Sequence, residues 1–248
     1  MSQLTHQIIL VTGANRGIGK AIVAEALNRG SKKVYAAVRD LESAEPLVKE
    51  FGSKVVPIEL DLSKPKTIIE AAQNASDVTV VVNNAGALTM TTALDEDAVS
   101  SLEYLVDVNV SGFIRVAQAF APVLKDNNGG VLAQVNSVVS TKAFPTSATY
   151  SASKAASYAV TQALREQLRP QGTKVVSIHP GPIATDMGKE AGMENIAEPP
   201  SVVAEAFFDA LENGAFHVFP DTMAQQIWEQ YRGYAENVIE PELQLAAH

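Results

Sequence analysis

The stretch QIILVTGANRGIG (residues 7–19) opens as a continuous apolar run of strand length and ends in a turn carrying three glycines. Gly13 allows a tight turn, Gly17 lets a phosphate approach the backbone, and Gly19 lets the following helix pack closely on the strand. The spacing G-x-x-x-G-x-G is a variant of the dinucleotide fingerprint, and the free N–H groups of a helix starting there would face a pyrophosphate. A glycine-rich loop without special role would look the same in isolation. Its place directly after the first strand decides for a dinucleotide site.

Beyond residue 19, runs of strand length alternate with longer amphipathic runs. KVYAAV (33–38), KVVPIEL (54–60), DVTVVVNNAG (77–86), GVLAQVNS (130–137), KVVSIHPG (174–181) and AFHVF (215–219) read as buried strands. Helical patterns lie between them: 18–30, 41–52, 64–75, about 97–125, a helix through Tyr150 that Pro170 and Gly172 end, and about 202–212. This alternation predicts parallel βαβ units. The expected fold is α/β: a single-domain, doubly wound parallel sheet of about seven strands with helices on both faces, spanning residues 1–248 with no linker or repeat. In such a sheet, ligands sit outside the carboxyl ends of the strands. TGANRGIG (12–19), DLS (61–63), NNAG (83–86), NSVVS (136–140) and HPGPIATDM (179–187) all fall at that edge and describe one site.

Composition narrows the function. With 46% hydrophobic and 19% charged residues, the chain can bury a sizeable core. It has no cysteine, which excludes disulfides, thiolate metal sites and a Cys nucleophile. His6, His179, His217 and His248 show no metal-ligand spacing, so no metal is expected. A net charge of −9 argues against a nucleic-acid partner. The first apolar run stops at Gly13, too short for a membrane span and without the basic start of a signal peptide, so a cytoplasmic protein is expected.

ATYSASKAA (148–156) sets Tyr150 and Lys154 one helical turn apart among small residues. A fixed ammonium beside a phenol strengthens it as an acid, and Ser137, at the end of the preceding strand, can donate to the same substrate oxygen without titrating. Reducing a ketone creates an alkoxide that needs a proton, which is the task such a phenol performs. At the end of the second predicted strand, Val38 stands where an NAD-binding acid would be expected. Arg39 follows it, and Arg16 lies in the glycine turn. Two guanidinium groups suit the extra phosphate of NADP(H). Asp40 argues the other way, for NAD(H), if the register shifts by a residue.

Together these motifs resemble the short-chain dehydrogenases/reductases, and TGANRGIG with VRD resembles their NADPH-dependent carbonyl reductases. The resemblance runs to about residue 220 and rests on TGANRGIG, NNAG, Asn109 in DVNVSG, Ser137, Tyr150-x-x-x-Lys154 and PGPIAT (180–185). Asn136 departs from it, since the family often has a second serine there.

The resemblance implies Tyr150 as general acid/base, Ser137 as holder of the substrate oxygen and Lys154 as binder of the nicotinamide ribose that also lowers the tyrosine pKa. Asn109 would interrupt its helix and hold a water. It further implies a cofactor lined by Gly13, Asn15, Arg16, Gly17, Ile18, Gly19, Arg39, Asp61, Leu62, Asn83, Ala85, Gly86, Pro180, Gly181, Ile183 and Thr185, and a homotetramer or homodimer formed through the two long helices.

The strand-end loops and a lid at about 182–200, with Gly188 and Gly192 as hinges, should form the substrate pocket. Its candidate lining is Val138, Val139, Phe144 and Met187, with Leu88, Ala143, Pro145 and Met193. These side chains are mostly apolar, so a hydrophobic ketone or aldehyde is expected as the small-molecule substrate. A β-ketoacyl carrier-protein reductase is the alternative, and a non-catalytic dinucleotide sensor would lack Tyr150. The tail (about 221–248) should form an amphipathic helix whose Trp228 and Tyr231 cover the site or a neighbouring subunit. His179 reads as a satisfied structural histidine, Asp107 and Asp186 as structural or solvated, and Arg115, Arg165 and Arg169 as solvated faces or subunit contacts.

Overall fold

The computed structural model describes residues 6–242. Among them, seven parallel strands form one sheet: β1 (Ile8–Thr12), β2 (Lys33–Val38), β3 (Val55–Glu59), β4 (Val80–Asn83), β5 (Val131–Val135), β6 (Lys174–Ile178) and β7 (His217–Val218). The order is β3-β2-β1-β4-β5-β6-β7, so the chain reverses its direction of travel across the sheet between β1 and β4. Register pairs Ile9 with Val34 on one side and with Val80 on the other. That reversal opens a crevice at the carboxyl ends of β1 and β4, where doubly wound sheets bind ligands.

Successive residues of a strand point to opposite faces, and both faces here are covered. Ile9 and Val11 join one core with Ile22 and Val23 of α1 (Gly17–Asn28), Leu47 of α2 (Glu45–Phe51) and, from near the C-terminus, Phe207 and Phe208. Ile8 and Leu10 join the other with Ile68 of α3 (Pro65–Asn74). The long stretch after β4 is built as α4 (Ala98–Val106), a single wide π turn (Asp107–Ser111) and α5 (Gly112–Asp126). Phe113, Phe120 and Leu124 of α5 fill the second core. The π turn places Asn109 at the interruption expected of it.

α6 (Ala148–Leu168) follows β5 and ends at Pro170 and the left-handed Gly172. After β6 come the short α7 (Asp186–Glu190), α8 (Ser201–Asn213) and α9 (Thr222–Tyr234). α8 carries Phe207 and Phe208, and α9 runs into a π turn at Ala235–Ile239. Among the described residues no helix is long and apolar enough to cross a membrane.

One expectation is corrected here. Arg115, Arg165 and Arg169 are not simply solvated, since each has partners within the chain. Arg115 donates to the Leu62 carbonyl and pairs with Asp107 at 2.8 Å. Arg165 donates to the Glu240 carbonyl and lies over the Phe216 ring, and Arg169 pairs with Glu166 and Glu242. Helical periodicity marks which face of α6 is polar but does not show that the C-terminal chain returns to it. Packing requires a glycine at position 188, because a Cβ there would lie 2.2 Å from the Ile183 carbonyl oxygen. The described part of the tail reaches residue 242; His248 and the tail's last residues lie outside the described residues.

β6 runs directly into His179, which is fully buried and satisfied on both ring nitrogens, by Ser177 at 2.7 Å and Ser140 at 2.9 Å. Burial, reinforced by neighbouring His217, holds its pKa down at about 3. The unfolded chain would take up a proton near pH 6.5 that the folded chain refuses until about pH 3. Stability contributed by neutral His179 is therefore complete above pH 6.5 and lost as the pH falls through that window. A His179→Asn variant should be less stable than wild type at pH 7.5 in urea unfolding. The gap should narrow by about 2 kcal/mol at pH 5, and an unchanged gap contradicts the burial of a neutral ring.

Candidate active site

Thr12, the last residue of β1, ties the two sides of the crevice together. Its hydroxyl accepts from the backbone N–H groups of Asn84 and Ala85, both at 2.9 Å, while Asn84 Nδ2 donates back to the Thr12 carbonyl. Asn83 is buried and donates to Gln134 on β5 at 2.8 Å. Gly13 and Gly17 adopt positive φ angles of 64° and 52°. A Cβ on Gly19 would lie 2.1 Å from the Gly13 carbonyl oxygen, so only glycine lets the helix start under the turn. A Cβ on Gly17 would meet Thr185 at 3.0 Å, which sets Thr185 beside the turn. Together these features leave a bare backbone cradle at the amino end of α1, the geometry that receives a dinucleotide pyrophosphate.

Beside the cradle, Gly86 faces both Asn109 and Lys154: a Cβ there would lie 3.0 Å from Asn109 Oδ1 and 3.7 Å from Lys154 Nζ. Asn109 accepts from the Ala87 N–H at 2.8 Å and donates to the Ala87 carbonyl and to Ser153 Oγ, each at 3.0 Å. Lys154 is 4% exposed, and its ammonium donates to the Val135 carbonyl at 2.9 Å. Burial lowers it to about 8, so it remains mostly charged at neutral pH. The ammonium lies 5.8 Å from the centre of the Tyr150 ring. Burial pushes the phenol up to about 12, against the opposing hydrogen bond of Ser137. In the protein alone, desolvation therefore outweighs that hydrogen bond, and the phenol is held in its acid form rather than lowered as expected from the sequence. Ser137 itself donates to the Pro180 carbonyl at 3.3 Å. The serine, the tyrosine and the lysine expected from the sequence thus converge.

Val38 ends β2 and Arg39 is exposed just beyond it. Asp40 caps the next turn, accepting from the Glu42 N–H at 3.1 Å. Asp61 is partly buried, which would raise its pKa, yet the Ser63 hydrogen bonds, with Lys64 and Arg39, hold it below the ordinary carboxylate range. Leu62 is buried against Gly112. Arg16 pairs with Asp186 at 2.6 Å, both largely exposed. A cavity of about 660 Å³ lies between α1 and residues 184–201, beside the glycine turn rather than at Tyr150.

Ile18 is partly buried against the core, and Asn15 is partly buried in the glycine turn. Ile183 is buried, Pro180 is bonded through its carbonyl to Val138, and the Gly181 N–H is taken by Asp221. Val138, Val139 and Phe144 cluster with Tyr150 and Leu105, but Met187, on α7, is not part of that cluster. The cluster is completed by Met223, Ile227, Trp228 and Tyr231 of α9, so the tail covers this chain's own site. Thr12 and Asn84 were missed as site residues. Their signal was present in VTG and in the doubled asparagine of NNAG.

The comparisons with known proteins agree with this geometry. A family model for short chain dehydrogenases matches residues 7–195. The NADP-dependent 3-hydroxy acid dehydrogenase of Schizosaccharomyces pombe is 28% identical over 257 residues, covering 96% of this chain and 98% of its own. A short chain dehydrogenase of Burkholderia cenocepacia solved in complex with NADP superposes with a TM-score of 0.83 at 33% identity, over 97% of this chain and 100% of that one. A 3-ketoacyl-(acyl-carrier-protein) reductase of Brucella melitensis, complexed with NADH, gives 0.77 at 26% identity over 90% and 93% of the two chains. With its parallel sheet, its glycine cradle and a family match over most of its length, this chain belongs to the short chain dehydrogenase family of oxidoreductases.

Proposed function

We propose that the protein is an NADPH-dependent reductase of hydrophobic ketones or aldehydes, working in reverse as an alcohol dehydrogenase. The observation that carries this reading is a buried phenol hydrogen-bonded to Ser137, with a buried ammonium beside it and apolar side chains around it. When bound, the reduced nicotinamide supplies a hydride. Tyr150 holds the proton that the nascent alkoxide takes up, Ser137 donates a hydrogen bond to the same oxygen, and Lys154 stabilises the phenolate left behind. Asn109 ties the Gly86–Ala87 backbone to α6 and keeps Lys154 aimed into the cradle. The apolar wall favours a substrate without multiple charges.

The choice of NADPH over NADH rests on the exposed Arg39 directly after β2, with Val38 rather than an acid at the strand's end; Arg16, in the glycine turn, pairs with Asp186. Relatives support it in the yeast NADP-dependent dehydrogenase and the NADP complex from B. cenocepacia. The NADH complex of the B. melitensis enzyme shows that a related chain takes the other cofactor, and that enzyme's reaction makes carrier-bound 3-ketoacyl thioesters the second substrate class to assay. The net charge of −9 disfavours docking of an acidic carrier. Self-association through α4 and α6 belongs to the same proposal, supported by Val99 and Tyr104 of α4 being 70% and 53% exposed.

Two measurements test the reading on a panel of aryl ketones, aldehydes, 3-hydroxy acids and a carrier thioester with each cofactor. Tyr150→Phe should lower kcat by about 10²- to 10⁴-fold while NADPH binding, followed by its fluorescence, stays within about twofold. A variant that keeps its rate refutes the acid assignment. Arg39→Ala should reduce the preference for NADPH over NADH by about 10- to 100-fold, the worth of a charged hydrogen bond. An unaltered preference would remove the phosphate role from Arg39.

A further inference from the structure

α9 is tied down at both ends. At its start, buried Asp221 accepts from the Gly181 N–H at 2.6 Å and from the Ala224 N–H at 3.0 Å, and the Thr222 N–H donates to Glu198 at 2.7 Å. Beyond its far end, Glu240 Oε1 meets His217 Nδ1 at 2.7 Å, and His217 Nε2 meets the Tyr158 hydroxyl at 2.6 Å. Arg165 holds the Glu240 carbonyl at 2.9 Å, and Tyr158 also touches the Tyr231 hydroxyl at 3.3 Å. Tyr158 lies on α6, eight residues beyond Tyr150. The tail is therefore anchored on the helix that carries the phenol.

Between the anchors, one face of α9 forms a wall. Met223, Ile227 and Tyr231 recur every four residues and pack with Trp228 against the Tyr150, Val138 and Val139 cluster. Trp228 stacks on Phe219 with ring centres 5.0 Å apart. A cavity of about 300 Å³, bordered by Asp209, Asn213, His217 and Phe219, adjoins Trp228. The wall has room to retreat, and the clamp at Glu240 opposes that retreat.

We infer that Glu240, His217 and Tyr158 form a clamp that sets the depth of the carbonyl pocket, with Trp228 and Ile227 as its specificity-determining residues. The inference rests on the proposed function, because it concerns the size of the ketone accepted. Glu240 and His217 are positioning residues, acting through α9. Releasing Glu240 removes the only side-chain partner of His217 Nδ1 among the described residues and lets the indole move toward the cavity. The pocket then widens, so small ketones lose contacts and bulky ones gain entry.

Trp228 is the chain's single tryptophan, so its emission reports the seating of α9 without any turnover. Wild type, Glu240→Gln, Glu240→Ala and Trp228→Ala would be compared on phenyl methyl and naphthyl methyl ketones, with emission spectra of the tryptophan-containing proteins. Glu240→Ala should shift Trp228 emission and raise the naphthyl-to-phenyl kcat/KM ratio at least fivefold, mainly through KM, with NADPH affinity within twofold. Glu240→Gln, which keeps a hydrogen-bonding group for His217, should stay within twofold of wild type. Trp228→Ala, with the clamp intact, should raise the ratio in the same direction and decides the case if Glu240→Ala does not fold. An unchanged ratio in an active Trp228→Ala, or unchanged emission in folded Glu240→Ala, overturns the inference. Wild type that reduces neither ketone overturns the proposed function itself, and that failure is visible before any variant is made.

Discussion

The hydroxyl of Thr12 is the hinge pin of the site. Accepting two backbone N–H groups from the chain after β4, it joins the strand ends at which the sheet reverses direction. A serine or threonine oxygen with two acceptor lone pairs can do this, and an apolar residue would leave two N–H groups without those partners. Everything chemical is hung from that joint. The Asn84 amide reaches back to the turn, Gly19 passes under it, and Gly86 is carried to the Asn109 and Lys154 side chains. The site is two backbone segments brought into contact, with side chains aimed across the seam.

α6 supplies the other half. Along one helix the chain buries Tyr150, Ser153, Lys154, Ser157 and Tyr158, an unusual load of polar groups for a helix interior. Each has a stake in its neighbours: Ser153 bonds the Tyr150 carbonyl and Asn109, Lys154 bonds Val135, and Tyr158 bonds His217. Ser157 Oγ is the exception among them, with no partner. Desolvation raises the phenol and lowers the ammonium, opposing charge formation in both. Such a pair is poised to respond strongly to any charge placed in the crevice, because little water remains to screen it.

Much of the fold was legible because its signals are local. Continuous Val and Ile runs mark strands buried on both faces, glycines mark the turn, and the Tyr-x-x-x-Lys spacing follows from helical geometry. His179 could be read as structural because it sits in a strand end followed by Pro-Gly. Its two serine partners, Ser140 and Ser177, lie 39 and 2 residues away, and no sequence pattern pairs them. The arginines of α5 and α6 were read by helix face alone, which cannot register carbonyls arriving from residue 62 or residue 240. The packing of Met223 and Ile227 of α9 against Tyr150 joins segments more than 70 residues apart, which no local pattern announces.

The sequence alone determined the alternation of elements and the glycine turn at residues 12–19, and it singled out the Tyr150, Ser137 and Lys154 that the fold brings together, since each depends on periodicity or on a residue type beside a strand end. Only the tertiary structure decided which backbone carbonyl receives Lys154 and that the chain's last described turn returns to brace the helix bearing Tyr150. The physical reason is range. The contacts of Arg165 with the Glu240 carbonyl and of Tyr158 with His217 span 75 and 59 residues and depend on how the layers close, and closure is a property of the whole core rather than of any segment within it.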